Sequence, residues 1–288
     1  MNGMPLHRFA PVGLDELVAE AELLTRIDRK YLVPVHGAPA LLDSLDPRTR
    51  VLEIDGQREF AYDSVYFDTP DHLAYRLTAQ RRRRRFKLRT RSYLDTGTAF
   101  LELKTKSGRG STVKNRMPYT VADRARLTAT GSAYIGELLT RHGHDGDLIH
   151  SMLPTLVSRY HRVTLLLPCG ARATIDTRLQ WMDRTAPGDP IPSGGGISLP
   201  RYMIVESKSA GAPSELDLAL RRAGHRPTGI SKFGTGTAAL HPELPSNKWA
   251  RTLRGPFATG LFTTHVPGTG TLTTELPATE LLTSQETS

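Results

Sequence analysis

Basic side chains recur at every second position in several segments, a spacing that puts them on one face of a β-strand. In the segment Phe86–Tyr93, Lys87, Arg89 and Arg91 alternate with apolar residues, threonine and serine. Arginine grips phosphate oxygens through a two-pronged fork, and lysine contributes a point charge. This spacing therefore indicates a strand whose charged face binds a phosphate-rich anion.

The same alternation recurs in five further segments. The residues that share a face within one segment are Glu102, Lys104 and Lys106; Lys114 and Arg116; Tyr160 and Arg162; Arg172, Thr174 and Asp176; and Glu206 and Lys208. A solvent-exposed face usually mixes lysine with glutamate, because opposite charges attract across strands and like charges repel. Here cations outnumber acids, which indicates an anion between them. A wet sheet face remains the alternative interpretation for any single strand.

Two acids, Glu102 and Glu206, interrupt the basic faces. A carboxylate there opposes an anionic ligand unless it binds a metal or neutralises a lysine. Mn²⁺ and Mg²⁺ are hard cations that prefer carboxylate and phosphate oxygens. Both glutamates are therefore candidate metal ligands, and an ion pair with a neighbouring lysine stays open as the alternative for each.

The overall charge agrees with an acidic partner. The chain carries 38 Lys+Arg against 29 Asp+Glu, a formal net charge of +9, which favours phosphorylated molecules, anionic lipid or nucleic acid. Aromatic residues make up only 7% and form no spaced stacking platform, so we expect no nucleic-acid partner. The single cysteine excludes an internal disulfide, and no signal peptide or bilayer-spanning stretch is visible. We therefore expect a cytoplasmic protein.

Periodicity indicates the elements that must position these residues. Helices are predicted from Leu14 onward, at Ala38–Leu45, Asp123–Arg141 and Ser214–Ala223, and strands within Phe60–Thr120, Leu156–Leu167, Arg172–Leu179 and Tyr202–Lys208. This order predicts an α+β fold with an antiparallel sheet. Closing the sheet into a β-barrel tunnel would turn the charged faces inward and the apolar faces towards flanking helices. Residues 1–244 are predicted to form the folded domain and residues 245–288 a mostly disordered segment.

These segments resemble the VTC (vacuolar transporter chaperone) polyphosphate polymerase domain, a family of the triphosphate tunnel metalloenzymes, to which the CYTH phosphatases also belong. The resemblance covers Arg26–Leu240. The motifs that carry it are Arg26-Ile-Asp-Arg-Lys-Tyr-Leu-Val, Ser64-Val-Tyr-Phe-Asp-Thr-Pro, Arg89-Thr-Arg-Ser-Tyr, Glu102-Leu-Lys, Val113-Lys, Tyr160-His-Arg, Arg172-Ala-Thr-Ile-Asp-Thr, Val205-Glu-Ser-Lys and Ser231-Lys-Phe.

The resemblance implies a metal-dependent phosphotransferase that moves the γ-phosphoryl group of ATP onto a growing polyphosphate chain. It implies ATP and inorganic polyphosphate as partners and Mn²⁺ or Mg²⁺ as cofactor. Phosphate binding is implied for Lys30, Arg89, Arg91, Lys104, Lys114, Tyr160, Arg162, Arg172, Lys208, Ser231 and Lys232, whose cations are also the catalytic candidates. The metal is implied at Glu206, with Glu102 as the second candidate.

Two alternatives stay open beside polymer synthesis. Tunnel hydrolases of the CYTH type begin with Glu-x-Glu-x-Lys, whereas this chain has Arg26 and Asp28 at the two acidic positions. The substitution favours synthesis over hydrolysis of triphosphate or a nucleoside triphosphate. The second alternative is a non-catalytic module that binds polyphosphate or nucleic acid. We expect a stand-alone domain of bacterial type, for which a membrane partner remains open, and we interpret the run Arg81–Arg85 as a solvated turn.

Overall fold

The structure is a computed structural model of the 288-residue chain and describes residues 4–20, 27–106, 112–184, 195–266 and 270–275. Its strands are β1 (Ala10–Val12), β2 (Ile27–Pro34), β3 (Arg50–Leu52), β4 (Phe60–Asp68), β5 (Arg85–Tyr93), β6 (Thr98–Lys106), β7 (Thr112–Tyr119), β8 (Leu153–Leu166), β9 (Arg172–Asp183), β10 (Gly196–Leu199), β11 (Tyr202–Ser209), β12 (Leu261–Val266) and β13 (Gly270–Glu275). Its α-helices are α1 (Leu14–Glu20), α2 (Ala38–Asp43), α3 (Leu73–Ala79), α4 (Ala129–Arg141), α5 (Glu215–Arg222), α6 (Lys232–Leu240) and α7 (Ala250–Arg254). None of these described helices is long and apolar enough to cross a membrane.

The chain divides into two compact units, each assembled from three segments. The first unit comprises Met1–Ala61, Tyr160–Leu179 and Leu199–Ile230, and the second comprises Tyr62–Arg159, Gln180–Ser198 and Ser231–Ser288. The long strands β8 and β9 contribute residues to both. The predicted boundary at residue 244 does not separate these units, because the residues on both sides of it belong to the second.

In the first unit, β11 lies between β2 and β9 and runs antiparallel to both. Alternate residues of these strands, such as Tyr31, Ile175 and Val205, enter a hydrophobic core with helices α2 and α5. Because side chains alternate along a strand, the intervening residues of the same strands lie on the opposite face. That second face carries the predicted site residues of this unit.

In the second unit, β4, β5, β6 and β7 form an antiparallel meander. Leu88 and Leu101 are buried on its apolar face. Helix α4 covers that face so closely that a Cβ on Gly131 would lie 3.1 Å from Leu101 Cδ2. The helix begins at Ala129 because Thr128 caps it by accepting a hydrogen bond from the Gly131 N–H. The charged face of the meander is thus opposite the one that α4 packs against.

The predicted α+β class with an antiparallel sheet and flanking helices is confirmed, whereas closure of the strands into a ring is not seen. Among the described strands, β7 pairs only with β6 and β2 only with β11. On β7, Lys114 and Arg116 are exposed charges and Pro118 lacks an N–H donor. Charges and proline on an edge strand disfavour pairing with a further strand. The sheet is therefore open at β7.

Helix α3 was not predicted, because the period-two pattern indicated only strands between Phe60 and Thr120. The buried carboxylate of Asp68 accepts hydrogen bonds from the backbone N–H groups of Thr69, Ala74 and Tyr75, at 2.8, 2.8 and 2.9 Å. An acid that satisfies the first N–H groups of a helix from several residues away replaces the usual capping residue. The hydroxyl of Thr69 also accepts from the Leu73 N–H at 2.9 Å, but neither residue stands directly before the helix, where a sequence pattern would show a capping signal.

The structure also corrects the prediction for residues 245–266. Disorder was predicted there, but Trp249 and Phe257 are each only 1% exposed, and β12 pairs with β10 and β13. Trp249 fills space that Gly234 leaves open, since a Cβ there would lie 2.2 Å from the indole ring. A few well-packed aromatic residues therefore order a segment that is poor in large apolar residues. Residues 276–288 lie outside the described part of the chain.

Candidate functional site

Four charged residues of the first unit form what we term the Glu206 cluster: Asp28 and Lys30 on β2, and Glu206 and Lys208 on β11. Glu206 lies opposite Lys30, and Lys208 opposite Asp28, in the antiparallel register. Lys30 Nζ donates to Glu206 Oε1 at 3.0 Å, and Lys208 Nζ donates to Asp28 Oδ2 at 2.8 Å and also to Glu206 Oε1. The two acids and two lysines balance in charge.

The Glu206 carboxylate stays ionised at neutral pH despite its burial. Its side chain is only 13% exposed, and burial alone raises the pKa of a carboxyl group. The charges of Lys30, Lys208 and Arg162 more than offset that effect and hold the pKa of Glu206 well below its usual value. The cluster thus presents a permanent negative charge among cations.

Arginine residues extend the same face of the first unit. Arg162 on β8 donates to Asp176 through Nε at 2.6 Å and Nη2 at 2.8 Å, a two-pronged pair with a fully buried carboxylate. Its guanidinium lies 5.2 Å from the centroid of the Tyr160 ring. Arg172 on β9 lies opposite Lys208. Five cation and acid positions on β2, β9 and β11 are therefore held by strand register, and Arg162 joins them through Asp176.

In the second unit, Lys87, Lys104 and Lys114 form a line across three neighbouring strands, which we term the lysine row. Lys87 on β5 lies opposite Lys104 on β6, and Lys104 opposite Lys114 on β7. Like charges that face each other directly across strands are destabilising. Register therefore places three positive charges side by side.

Glu102 neutralises part of the adjacent charge. Its carboxylate, only 3% exposed, lies 2.9 Å from Arg89 Nε, 2.5 Å from Lys114 Nζ and 3.7 Å from Arg91 Nη2. Burial raises the pKa of Glu102, but Arg89 and Lys114 lower it overall to below its ordinary value. These contacts are those of an ion pair shared among three cations.

Ser231 and Lys232 stand at the start of α6 in the same unit. The Ser231 hydroxyl accepts from the Gly234 N–H at 3.2 Å, which caps the helix, and from Lys87 Nζ at 3.0 Å. The Lys232 carbonyl accepts from the buried indole N–H of Trp181 at 2.8 Å. The Ser-Lys pair is thus anchored by a helix and contacts the end of the lysine row.

A comparison with models of known protein families finds the VTC domain over residues 25–241, which is more than half of the chain. The chain belongs to the VTC domain family. The membership expected from the strand motifs is thereby confirmed, and so is the fold class that was expected with it. A search of curated proteins found no match.

Solved structures similar to this VTC domain are distant from it. A putative adenylyl cyclase from Hippeastrum, described as having a dominant triphosphatase activity, shares 18% identity with a TM-score of 0.45, covering 74% of this chain and 96% of its own. The PH1012 protein of Pyrococcus horikoshii shares 14% with a TM-score of 0.37, covering 69% and 90%. The inorganic triphosphatase NE1496 shares 16% with a TM-score of 0.26, covering 68% and 80%.

The residues predicted for the site fall into both units of this VTC domain. The first unit contains Lys30, Tyr160, Arg162, Arg172, Glu206 and Lys208; the second contains Arg89, Arg91, Glu102, Lys104, Lys114, Ser231 and Lys232. Within each unit the strand register or a direct contact brings these residues together, and Lys232 follows Ser231 in the chain. Their role in phosphate binding stays a prediction. Arg26, on which the preference for synthesis depends, lies outside the described residues.

The Glu206 cluster has the donor chemistry for one divalent cation. Mg²⁺ and similar ions are commonly held by one or two carboxylates and complete their shell with phosphate oxygens and water. Glu206 supplies an ionised carboxylate, and Asp28 lies on the same face and shares Lys208 with it. The described residues contain no group of three His, Cys, Asp or Glu side chains that would hold a metal alone. A cation here would need oxygen ligands from the substrate.

Several charged residues on these faces were not assigned by the family resemblance. Lys87 continues the row, Arg85 lies opposite Lys106, and Arg116 lies opposite Glu102. The alternation along β5, β6 and β7 contained the signal for all four cations. What it lacked was the register, which decides which charges face each other.

Proposed function

We propose that this VTC domain is a polyphosphate polymerase that transfers the γ-phosphoryl group of ATP to the end of a polyphosphate chain and releases ADP. The observation that carries the proposal is the lysine row. Three lysines in register on neighbouring strands repel one another in the free protein. A linear polyanion, with one negative charge on each phosphate, offers a counter-charge to every lysine along the row.

Each unit contributes its own phosphate-binding groups to this proposal. In the second unit, Arg89 and Arg91 present guanidinium forks beside the lysine row, with Glu102 limiting the local surplus of positive charge. In the first unit, Lys30 and Lys208 are oriented by the Glu206 carboxylate. Side chains held in place before the substrate arrives lose little conformational freedom on binding, which favours affinity.

The transfer requires no protein nucleophile. A terminal oxygen of the polyphosphate chain attacks the γ-phosphorus, and a new O–P bond forms. The bond between the γ-phosphorus and its bridging oxygen breaks, and the electron pair leaves with ADP. Positioning and neutralisation of the phosphoryl oxygens by lysine and arginine supply the catalysis.

We propose Mn²⁺ or Mg²⁺ as the cofactor, with Glu206 as the ligand and Asp28 as the second carboxylate in reach. When bound, such a cation polarises and neutralises a phosphoryl group. We further propose a cytoplasmic location, which is supported by Cys169, the lone cysteine, being unpaired and exposed, since reducing compartments keep thiols free.

The test is an assay of the purified chain with ATP and either Mn²⁺ or Mg²⁺, in which ADP, free phosphate and polymer are separated and quantified. We expect ADP and long-chain polyphosphate to appear together. Phosphate release from tripolyphosphate or ATP without polymer would assign the chain to the hydrolases instead. If the chain binds these anions but forms no product, the non-catalytic alternative holds.

A further inference from the structure

A second group of cations lies at one end of β5 and β6, and we term it the Lys248 cluster: Arg81, Arg85, Lys106 and Lys248. Arg85 begins β5 and lies opposite Lys106, which ends β6. Lys248 Nζ donates to the Thr78 carbonyl at 3.0 Å, and the Arg81 N–H donates to the same carbonyl at 3.3 Å. The cluster therefore unites the arginine run with a residue that lies beyond the family match, which ends at residue 241.

The segment that supplies Lys248 is fixed against helix α3. Tyr75 OH donates to the Pro245 carbonyl at 2.9 Å, and its ring lies 5.7 Å from that of Trp249. Trp249 is buried, and Lys248 Nζ lies 5.1 Å from the centroid of its ring. Lys248 therefore contacts both the Trp249 ring and the Thr78 carbonyl at the end of α3. These two contacts give its charge a defined position.

The Lys248 cluster differs from the surroundings of Glu102 in having no acid. In the part of the chain that the structure describes, no carboxylate forms an ion pair with any of its four cations. Burial, together with the charges of Arg85, Arg81 and Lys106, lowers the pKa of Lys248 to about 8. Repulsion among four cations without a carboxylate partner destabilises the free protein. A bound anion would remove this repulsion.

The position of the cluster relates it to the lysine row. Arg85 and Lys106 each stand two residues from Lys87 and Lys104 on the same strands and on the same face. Two residues span about 7 Å along a strand. A polyanion lying on the row therefore reaches the Lys248 cluster if it continues along β5 and β6, whereas a short one occupies the row alone.

We propose that the Lys248 cluster is a second subsite for an inorganic polyphosphate chain, one that holds phosphates beyond those bound at the lysine row. This inference rests on the proposed function and adds a preference for long chains over tripolyphosphate. The surface that distinguishes chain length includes Arg81 and Arg85 of the arginine run and Lys248.

The test measures equilibrium binding of tripolyphosphate and of long-chain polyphosphate to the full chain without ATP. Lys248→Met keeps an unbranched side chain beside Trp249 and removes the charge. Lys248→Arg keeps the charge, and Arg254→Met removes an exposed cation from the same segment. We expect Lys248→Met to bind the long chain about tenfold more weakly, as loss of one charge-assisted contact predicts. Its affinity for tripolyphosphate, and both affinities of the other two variants, should match those of the wild type.

The outcomes separate this inference from the proposed function. If the wild type binds both chains and Lys248→Met weakens neither, or weakens both equally, the second subsite is wrong and the proposed function stands. If the wild type binds neither chain, both are wrong. A single-stranded DNA whose affinity falls with Lys248→Met as much as that of polyphosphate would assign the cluster to nucleic acid and overturn the inference. Thermal unfolding checks that the variant folds; if it does not, Arg85→Gln carries the same test with the same expectation.

Discussion

The Glu206 cluster and the lysine row differ in how their positive charges are arranged relative to acids. In the first, Lys30 and Lys208 each contact a carboxylate, and Glu206 and Asp28 leave no surplus. In the second, three lysines face one another in register, and the carboxylate of Glu102 pairs with Lys114 and is shared with two arginines. A cluster in which acids and cations balance is stable without a ligand, whereas lysines held opposite one another are stabilised by an anionic ligand.

This difference assigns the two regions different tasks in the proposed reaction. A buried, ionised carboxylate among cations orients its lysines and offers an oxygen ligand to a divalent cation. A line of lysines in register offers affinity for a chain of phosphates, since each phosphate relieves repulsion as it binds. Variants that change one charge in each region should therefore alter different observables.

The largest effect is expected for Glu206→Gln, which should reduce metal-dependent ADP formation roughly 100-fold, a typical loss when a charge that acts on the transition state is removed. The amide cannot serve as an anionic ligand, and it leaves Lys30 and Lys208 without their shared counter-charge. The measurement is turnover at saturating ATP across a Mn²⁺ titration.

Glu53→Gln is the matched control for that variant. Glu53 is an acid of the same unit, and its carboxylate pairs with Arg58 at 2.6 Å instead of with a residue of the Glu206 cluster. Its turnover should equal that of the wild type. Wild-type turnover of Glu206→Gln, with an unchanged Mn²⁺ dependence, would show that Glu206 has no metal role.

Glu102→Gln should destabilise the free protein by about 2 kcal/mol, since it removes the shared partner of Arg89 and Lys114, which are themselves partly exposed. Chemical unfolding at neutral pH measures this change. Because the pKa of Glu102 is lowered on folding, the wild type should lose this contribution as the pH falls below its usual value of 4.5, and the variant should not.

The same variant should bind tripolyphosphate more tightly than the wild type, because it adds one net positive charge next to the lysine row. Glu137→Gln, which removes an exposed acid of helix α4 in the same unit, should change neither stability nor binding measurably. A loss of anion binding in Glu102→Gln would instead favour Glu102 as the metal ligand.

A smaller effect is expected from pH. The pKa of Lys248 in the free protein is about 8, so its charge is present at neutral pH and is lost as the pH rises through that value. Affinity for long-chain polyphosphate should fall about fivefold between about pH 7 and about pH 9, relative to Lys248→Arg, which stays charged throughout. Binding titrations with long-chain polyphosphate at a series of pH values test this. Identical pH profiles for the wild type and Lys248→Arg would contradict it.

The sequence predicted the faces of the strands but could not predict which charges meet. Period-two spacing placed Lys87 and Lys104 each on a charged face. That they lie opposite each other depends on the hairpin between β5 and β6, where Gly97 adopts a left-handed φ of 64°. Register follows from the turn geometry and from packing of both faces, so it is a property of the folded sheet.

Contacts between distant residues account for the remaining errors. Helix α3 depends on Asp68, whose carboxylate reaches N–H groups six and seven residues away. Lys248 contacts the Thr78 carbonyl across 170 residues of chain, and Trp249 is buried because Gly234 leaves room for it. Local propensity contains none of this information, because the stabilising partner is brought close only by tertiary packing.

The central claim is that repulsion within the lysine row destabilises the free protein and that bound phosphates relieve it. Thermal unfolding of Lys104→Gln and of the wild type tests this claim most directly. Without ligand, the variant should be the more stable by about 0.5 kcal/mol, because two opposed like-charge pairs are removed. With saturating tripolyphosphate the order should reverse, because the wild type binds the ligand more tightly and gains more stability from it. Arg254→Gln, the control, should follow the wild type in both conditions. An order of stability that stays the same with and without tripolyphosphate would contradict the account.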